Sequence, residues 1–330
     1  MCIRTIDEWV ATTLLAAVQI SFEVFWPGLR APDSISTATL HRIANRFPLG
    51  TERAGWKNGV LVEFTDDEKR LWNETIKFAR QNKKAIGRKL TSLDLYPAED
   101  EPVSVFMSGS PGAGKTEASI ALLNLFTSSS ILRIDPDELR AEFDLYTGGN
   151  AYLFQGGISI LISKIIDLAL SQQQSFLLDG TLAKIDIARS NVERSLEKGR
   201  YVQVLYVYQN PLLAWEFVKA REQAEGRRIL ADHFVEQYFS ARDVVNTLKL
   251  EYGKHVHVDL LLEHIDNSAR LYKAGVDRID YHIPERYTRD ELAAALENVS
   301  PQEPVNEASK SALREGQESF RGIHSQREVR

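Results

Sequence analysis

A glycine-rich run at residues 109–116 has the residue types and spacing of a phosphate-binding P-loop. Glycines let the backbone curl so that successive N–H groups and a helix N-terminus point at phosphate oxygens. Lys115 is expected to reach the β- and γ-phosphates of a nucleotide, and the Thr116 hydroxyl is expected to be a ligand of Mg²⁺. The predicted nucleotide-binding residues are Gly109, Ser110, Pro111, Gly112, Ala113, Gly114, Lys115 and Thr116.

A candidate general base lies behind the next apolar run of the chain. Asp135 and Glu138 have the spacing of a helix start, in which the first residue is the N-cap and Pro136 is the first helical residue. That interpretation leaves Asp137 without a structural role, close to the expected γ-phosphate. Asp137 is therefore predicted to accept the proton of a substrate hydroxyl. A water-mediated contact of Asp135 with Mg²⁺ is an open alternative.

Two further polar residues flank a glycine after a third apolar run. Asp179 and Thr181 lie on either side of Gly180, and both side chains can face a cleft at that position. A substrate rich in hydroxyl groups would suit them. The alternative is that one of them only caps the following helix.

Arginines near the end of a predicted helix are candidates for charge stabilisation. The helix that begins at Pro211 runs through Arg221 to Gly226, and Arg227 and Arg228 follow in a predicted loop. Such a loop can act as a lid that brings cations onto a polyphosphate. Arginine suits this task because its planar fork holds two phosphate oxygens at once.

Short apolar runs alternate with helical segments from Val103 onward, which is typical of a parallel sheet covered on both faces. Right-handed crossovers then predict an α/β fold, a doubly wound and mostly parallel sheet of the P-loop kinase type, with the P-loop after the first strand. The predicted strands are 103–107, 130–134, 175–178, 201–208 and 255–262. The predicted helices are 115–126, 136–143, 152–173, 184–198, 211–225 and 231–252.

The remaining sequence divides into three further parts. Residues 1–92 are predicted to be a mostly helical N-terminal part, and the proline-rich, acidic stretch 93–102 is predicted to be a linker. The kinase-type domain is expected to cover 103–300. Residues 301–330 contain few large apolar groups and are predicted to be a flexible tail.

Composition and charge indicate which classes of binding partner and which cellular compartment to expect. A net charge of −6 and a pI near 5.8 argue against a nucleic-acid-binding protein, because such proteins hold phosphates with clustered Lys and Arg. The apolar stretch 9–26 is interrupted by Gln19 and Glu23, so stable insertion into a membrane is not expected. Cys2 cannot form an internal disulfide, and we expect a cytoplasmic protein.

These residues together resemble the zeta toxin family of P-loop kinases, the toxin halves of bacterial toxin–antitoxin pairs. The resemblance covers roughly residues 103–262. It is carried by the P-loop, the Asp-Pro-Asp-Glu-Leu-Arg segment at 135–140, the stretch 148–155, the Asp-Gly-Thr at 179–181, and Arg221 with Gly226-Arg227.

The resemblance implies a reaction and a set of roles. Family members transfer the γ-phosphoryl of ATP to the sugar 3′-hydroxyl of UDP-N-acetylglucosamine. Asp137 would be the general base, Lys115 would hold the nucleotide phosphates, and Arg221 and Arg227 would stabilise the transferring phosphoryl, with Arg228 as an alternative to Arg227. The residues expected to bind the sugar nucleotide are Asp179, Thr181, Asn150 and Gln155.

Other interpretations remain open. The acceptor could be another molecule with a hydroxyl group, such as a dinucleotide, a nucleoside or an antibiotic. A GTP-driven switch explains only the P-loop, because no Asn-Lys-x-Asp segment follows it, and a binding module without kinase activity does not explain Asp137.

The resemblance also leaves the inhibitor of the kinase open. A separate antitoxin is one possible partner. The long N-terminal part, residues 1–92, is the other, because it could act as a tethered inhibitor or simply as a packing extension. A truncation starting near Glu99 would test the inhibitory role.

Overall fold

The computed structural model describes residues 54–57, 60–125, 131–225, 229–263 and 271–297. The strands are β1 Ala54–Lys57, β2 Val60–Glu63, β3 Val103–Ser108, β4 Leu132–Ile134, β5 Phe176–Leu178, β6 Tyr201–Tyr208, β7 His257–Leu262 and β8 Leu271–Lys273. The helices are α1 Asp66–Leu90, α2 Lys115–Leu125, α3 Gln155–Ser171, α4 Ile185–Leu196, α5 Pro211–Glu225, α6 Ala231–Tyr252 and α7 Arg289–Glu297.

A six-stranded sheet in the order β4-β5-β3-β6-β7-β8 forms the centre of the molecule. Five of its strands are parallel, and β8 pairs antiparallel with β7. The predicted fold class, a mostly parallel α/β sheet with the P-loop after the first strand of that sheet, is confirmed. Because β3, β4 and β5 are parallel neighbours, their carboxyl ends lie at one edge of the sheet.

Strand β3 separates two hydrophobic cores. Phe106 belongs to the larger core and contacts the ring of Phe176 edge-on at 5.8 Å between ring centroids. Val105 and Met107 belong to the second core, on the other face, where residues of α2 cover them. Alternate side chains of a strand point to opposite faces, so burial on both faces makes the run entirely apolar or small.

Three predicted elements have the predicted bounds, and others differ by a few residues or in type. Strand β6 and helices α5 and α6 begin and end at the predicted residues. The predicted helix 136–143 is instead a 3₁₀ helix, Glu138–Glu142, and the predicted helix 152–173 is a 3₁₀ turn at Ala151–Leu153 followed by α3. The predicted strand 255–262 begins only at His257, because a 3₁₀ turn at Gly253–His255 follows α6.

The described residues of the N-terminal part form a β-hairpin and a long helix. Strands β1 and β2 pair antiparallel as a hairpin, directly before the 25-residue helix α1. Thr65 forms a capping box with Glu68, in which the Thr65 hydroxyl accepts from the Glu68 amide at 3.3 Å and the Glu68 carboxylate accepts from the Thr65 amide at 2.8 Å. Residues 1–53 lie outside the described part of the chain, as does the predicted tail 301–330.

Helix α1 packs directly on α3 through two glycines. A Cβ at Gly156 would lie 2.6 Å from Ile76 Cδ1 and 2.9 Å from the Trp72 ring, and a Cβ at Gly157 would lie 3.0 Å from the Thr75 carbonyl oxygen. This close approach explains the paired glycines at the start of α3. Since buried residues of α1 also belong to the larger core, α1 is part of the same folded unit as the sheet.

The stretch 93–102, predicted to be a linker, has fixed contacts at the amino edge of the sheet. The Gln174 side-chain amide donates to the carbonyl oxygens of Thr91 and Tyr96 at 3.1 and 2.5 Å. The Glu99 amide donates to the Gln173 carbonyl at 2.8 Å. These bonds attach the segment to the turn before β5, so the path from α1 into β3 is held in place.

Candidate active site

The P-loop connects β3 to α2 and approaches its neighbours very closely. Gly109 and Gly112 have φ angles of +138° and +72°. L-residues that carry a side chain rarely adopt such backbone conformations. A Cβ at Gly109 would lie 2.3 Å from the Val207 carbonyl oxygen, and one at Gly112 would lie 2.2 Å from the Ala214 carbonyl oxygen. Both glycines are therefore required for the loop to pack against β6 and α5.

Lys115 folds back over the loop that precedes it. Its Nζ donates to the carbonyl oxygens of Gly109 at 2.9 Å and Ser110 at 2.6 Å. The ammonium group thus lies at the loop, where phosphate oxygens can replace the two carbonyl oxygens as acceptors. Thr116 is exposed in the first turn of α2.

Asp137 lies between two arginines. Its Oδ1 accepts from Arg140 Nη1 at 2.5 Å, and its Oδ2 lies 3.5 Å from Arg221 Nη2. The side chain of Arg140 is only 9% exposed, whereas the side chains of Asp137 and Arg221 are 32% and 49% exposed. The contact with Arg140 is thus the tighter one, and solvent screens the contact with Arg221. The structure brings together two of the predicted catalytic residues, whereas Arg227 and Arg228 lie outside the described residues.

Helix α5 links Asp137 to the P-loop. Ala214 and Val218 of α5 contact Gly112, and Arg221 lies one helical turn beyond Val218 on the same face. Asn210 caps this helix, because its side-chain oxygen accepts from the amide of Leu212 at 3.0 Å. The cap and the close contact with the loop therefore set the position of Arg221.

A mostly buried arginine on β4, Arg133, contacts three carboxylates. Arg133 Nη2 lies 2.6 Å from Asp135 Oδ2 and 2.6 Å from Asp179 Oδ2, and its Nη1 lies 2.6 Å from Glu138 Oε1. Its Nε donates to the Ser119 hydroxyl at 3.2 Å. Burial lowers the pKa of Arg133, but the surrounding carboxylates outweigh this effect and raise it. Burial raises the pKa of Asp135 to about 6, although Arg133 acts in the opposite direction.

The predicted helix start at Asp135 is only half formed. Asp135 Oδ1 accepts from the Asp137 amide at 2.7 Å, as a capping side chain does. Glu138 does not return to the backbone of Asp135, because its carboxylate binds Arg133. Competition from this guanidinium explains why a short 3₁₀ helix replaces the predicted α-helix.

Asp179 and Thr181 follow β5, and neither caps the next helix. Asp179 is buried, and its Oδ2 accepts from Arg133 and from the Ser119 hydroxyl. The Thr181 carbonyl oxygen accepts from the Ser108 hydroxyl at 3.2 Å. The N-cap of α4 is Lys184, with no side-chain cap. The capping alternative is therefore wrong, and a role in substrate binding stays a prediction.

The other two predicted substrate residues lie before and at the start of α3. Asn150 closes its own loop, accepting from the Thr147 amide at 2.9 Å and donating to the Leu145 carbonyl at 2.9 Å. Gln155 is exposed as the first residue of α3. The structure does not bring either residue into a described contact with Asp137.

Three residues of the site were not predicted from the sequence: Arg133, Arg140 and Ser119. The signal for Arg133 was a charged residue inside a short strand that is otherwise apolar, since a buried charge requires a partner. Arg140 lies three residues after Asp137, which is the spacing of a side-chain pair on a helical turn. Ser119 had no signal, because its role depends on the packing of α2 beside β5.

Within the described residues, no group of three or more His, Cys, Asp or Glu side chains is arranged to hold a metal ion. None of the helices in the described ranges is both long enough and apolar enough to cross a membrane.

The sequence of the chain matches one protein family over more than half of its length. The profile of the family described as Zeta toxin matches residues 87–277, more than half of the chain. The chain belongs to the zeta toxin family. The matched range contains the P-loop, Asp137, Asp179 and Arg221. No curated protein sequence matches the chain significantly.

Several solved structures are similar to this chain, each at less than 20% identity. One is from the PezAT chromosomal toxin–antitoxin system of Streptococcus pneumoniae, with 18% identity, 79% of this chain and 98% of that chain covered, and a TM-score of 0.45. Another is the AvrRxo1-ORF1:AvrRxo1-ORF2 complex with sulphate ions, with 15% identity, 79% and 80% covered, and a TM-score of 0.43. The AvrRxo1-ORF1:-ORF2 complex with ATP has 14% identity, 76% and 75% covered, and a TM-score of 0.42.

Proposed function

We propose that the chain is an ATP-dependent phosphotransferase that transfers the γ-phosphoryl of ATP to a sugar hydroxyl of UDP-N-acetylglucosamine. The observation that supports this most directly is the carboxylate of Asp137, held between Arg140 and Arg221 on the loop after β4. Phosphoryl transfer to an alcohol needs a phosphate-binding loop, a carboxylate that accepts the proton, and a cation that stabilises the transferring phosphoryl. Membership of the zeta toxin family supports the same reaction class.

The nucleotide would bind along the P-loop. Backbone amides of the loop and the N-terminus of α2 would face the phosphates, and Lys115 would exchange its two carbonyl acceptors for phosphate oxygens. The exposed Thr116 hydroxyl, an oxygen donor at the start of α2, fits Mg²⁺. When bound, the ion would supply positive charge that neutralises part of the charge of the phosphates.

Asp137 would act as the general base. Arg140 holds Oδ1, so Oδ2 is the oxygen that would take the proton of the acceptor hydroxyl. The acceptor oxygen would then bond to the γ-phosphorus, the bond to the β–γ bridging oxygen would break, and ADP would leave. Arg221 would turn from Asp137 to the transferring phosphoryl and stabilise its charge, with Arg227 as the second proposed cation.

The acceptor would lie at the carboxyl edge of the sheet, beside Asp137. Asp179 is proposed to hold the sugar nucleotide through Oδ1, because both described donors to its carboxylate are directed at Oδ2. Thr181 follows it on the same turn. Asn150 and Gln155 remain proposed substrate contacts on the segment that leads into α3.

A panel of acceptors tests the proposal. The full chain is incubated with ATP, Mg²⁺ and a set of UDP-sugars, nucleosides and dinucleotides, and phosphorylated products are identified by mass. Phosphorylation of UDP-N-acetylglucosamine is expected. Transfer to another acceptor only would replace the substrate and keep the reaction, whereas ATP binding without any transfer would reduce the protein to a nucleotide-binding module.

Inhibition by the N-terminal part also stays a proposal, with a separate antitoxin as the alternative. Because α1 packs on α3 and belongs to the core, a truncation near Glu99 would disrupt the fold and cannot test it. The suitable variant begins at Ala54 and keeps the hairpin and α1. Higher transfer activity than the full chain supports inhibition by residues 1–53, and equal activity rejects it.

A further inference from the structure

The Arg133 side chain contacts Ser119, Asp179 and Asp135, which lie on three segments around the proposed acceptor site. Ser119 belongs to α2, the helix that begins at the P-loop, and Asp179 follows β5. Asp135 precedes the proposed base by two residues. The Arg133 side chain is only 11% exposed, so solvent screens these contacts little.

The contacts of Arg133 fix the orientation of two carboxylates. Arg133 and Ser119 both donate to Oδ2 of Asp179, which sets the plane of that carboxylate and directs its other oxygen elsewhere. Arg133 also holds Oδ2 of Asp135, whose Oδ1 accepts from the Asp137 amide at 2.7 Å. The backbone of Asp137 is therefore tied to Arg133 through one intermediate residue.

We propose that Arg133 is a positioning residue that fixes Asp179 and the backbone of Asp137 relative to the P-loop helix. This inference rests on the proposed function, because the role of those two aspartates comes from it. Arg133 itself does not touch the reacting atoms. It acts through Asp179 on the binding of the acceptor and through Asp135 on the placement of the base.

The fork of arginine suits this position better than an ammonium group. Three different nitrogens of Arg133 are used: Nε for Ser119, Nη1 for Glu138, and Nη2 for Asp135 and Asp179 together. A lysine supplies the positive charge but has a single nitrogen, so it can satisfy only part of this set. Arg133→Lys should therefore restore part of what Arg133→Met removes.

The kinetic test uses the full chain with Arg133→Met and Arg133→Lys. Arg189→Met is the matched control, since Arg189 on α4 also pairs with a carboxylate, Glu251, at 2.5 Å. We expect Arg133→Met to lower kcat/KM for the acceptor about 100-fold, within the range for misplaced catalytic groups. The affinity of Arg133→Met for a non-hydrolysable ATP analogue should stay within about threefold of the wild-type value. Arg133→Lys should have a kcat/KM for the acceptor at least about tenfold higher than that of Arg133→Met.

A second readout does not depend on the acceptor. The Asp137 amide donates to a carboxylate, and its proton resonance should therefore lie downfield in the ¹H–¹⁵N spectrum. Arg133→Met and Asp135→Asn should both move this resonance upfield, and Arg189→Met should not. If Arg133→Met does not fold, Arg133→Lys and Ser119→Ala carry both measurements.

The outcomes separate this inference from the proposed function. An Arg133→Met protein with the wild-type kcat/KM and an unchanged Asp137 resonance overturns the positioning role. Equal losses in acceptor turnover and in ATP affinity, without rescue by Arg133→Lys, indicate a purely structural role and overturn it as well. A wild-type protein that transfers to no acceptor refutes the proposed function, and the amide resonance then decides the positioning role alone.

Discussion

Gly112→Ala tests the close approach of the P-loop to α5. The φ angle of +72° places this residue in the left-handed region, which costs a side-chain-bearing residue about 1–2 kcal/mol. The new Cβ would also lie 2.2 Å from the Ala214 carbonyl oxygen, so the loop or the start of α5 must move. Forced overpacking of this kind costs about 1–3 kcal/mol. The free energy of unfolding should therefore fall by about 2–5 kcal/mol.

Urea unfolding followed by tryptophan fluorescence measures this loss, and titration with an ATP analogue measures the effect on the loop. Affinity for the analogue should also fall, because the displaced amides no longer face the phosphates. Gly149→Ala is the matched control, since no atom lies within 4 Å of its Cβ position. If Gly112→Ala matches Gly149→Ala in both measurements, the P-loop does not pack tightly against α5.

Two further predictions concern stability. Thr65→Ala removes the capping box shared with Glu68 and should lower the free energy of unfolding by about 1 kcal/mol in urea titrations; no change would show that the α1 start contributes nothing. Asp135 has a pKa of about 6 in the folded chain, above its ordinary value of 3.8, so the folded state binds this proton more tightly. The contribution of Asp135 to the free energy of unfolding should therefore fall by at most about 3 kcal/mol as the pH rises from about 4 to about 6. Unfolding curves of wild type and Asp135→Asn across this range should therefore converge or cross, and a constant difference would contradict the shift.

Long periodic elements could be predicted from the sequence because local pattern and burial agree in them. Helix α5 begins at a proline, α6 has a periodic apolar face, and β6 is an apolar run interrupted only by Gln203, so their bounds were predicted correctly. Strand β8 was not predicted, since it has three residues and pairs with β7 at an edge. Its position depends on tertiary pairing rather than on a local pattern.

The role of α1 in the fold could not be predicted because it depends on contacts between segments distant in sequence. The N-terminal part was predicted to be mostly helical, but nothing local indicated that Gly156 and Gly157 leave room for α1 on α3. The candidate site shows the same division. The P-loop and Asp137 were predicted from short motifs. The contacts of Arg133 depend on the packing of α2, β4 and β5 against one another, which no short motif indicates.

Phosphoryl transfer by Asp137→Asn, compared with wild type and with Asp67→Asn, tests whether Asp137 is the general base. Asp67 is an exposed carboxylate on α1 and serves as the matched control. The substitution at Asp137 removes the proposed proton acceptor and keeps the shape of the side chain, so kcat should fall by about 10²- to 10⁴-fold while affinity for an ATP analogue stays within about threefold. Wild-type turnover by Asp137→Asn would show that Asp137 is not the proton acceptor.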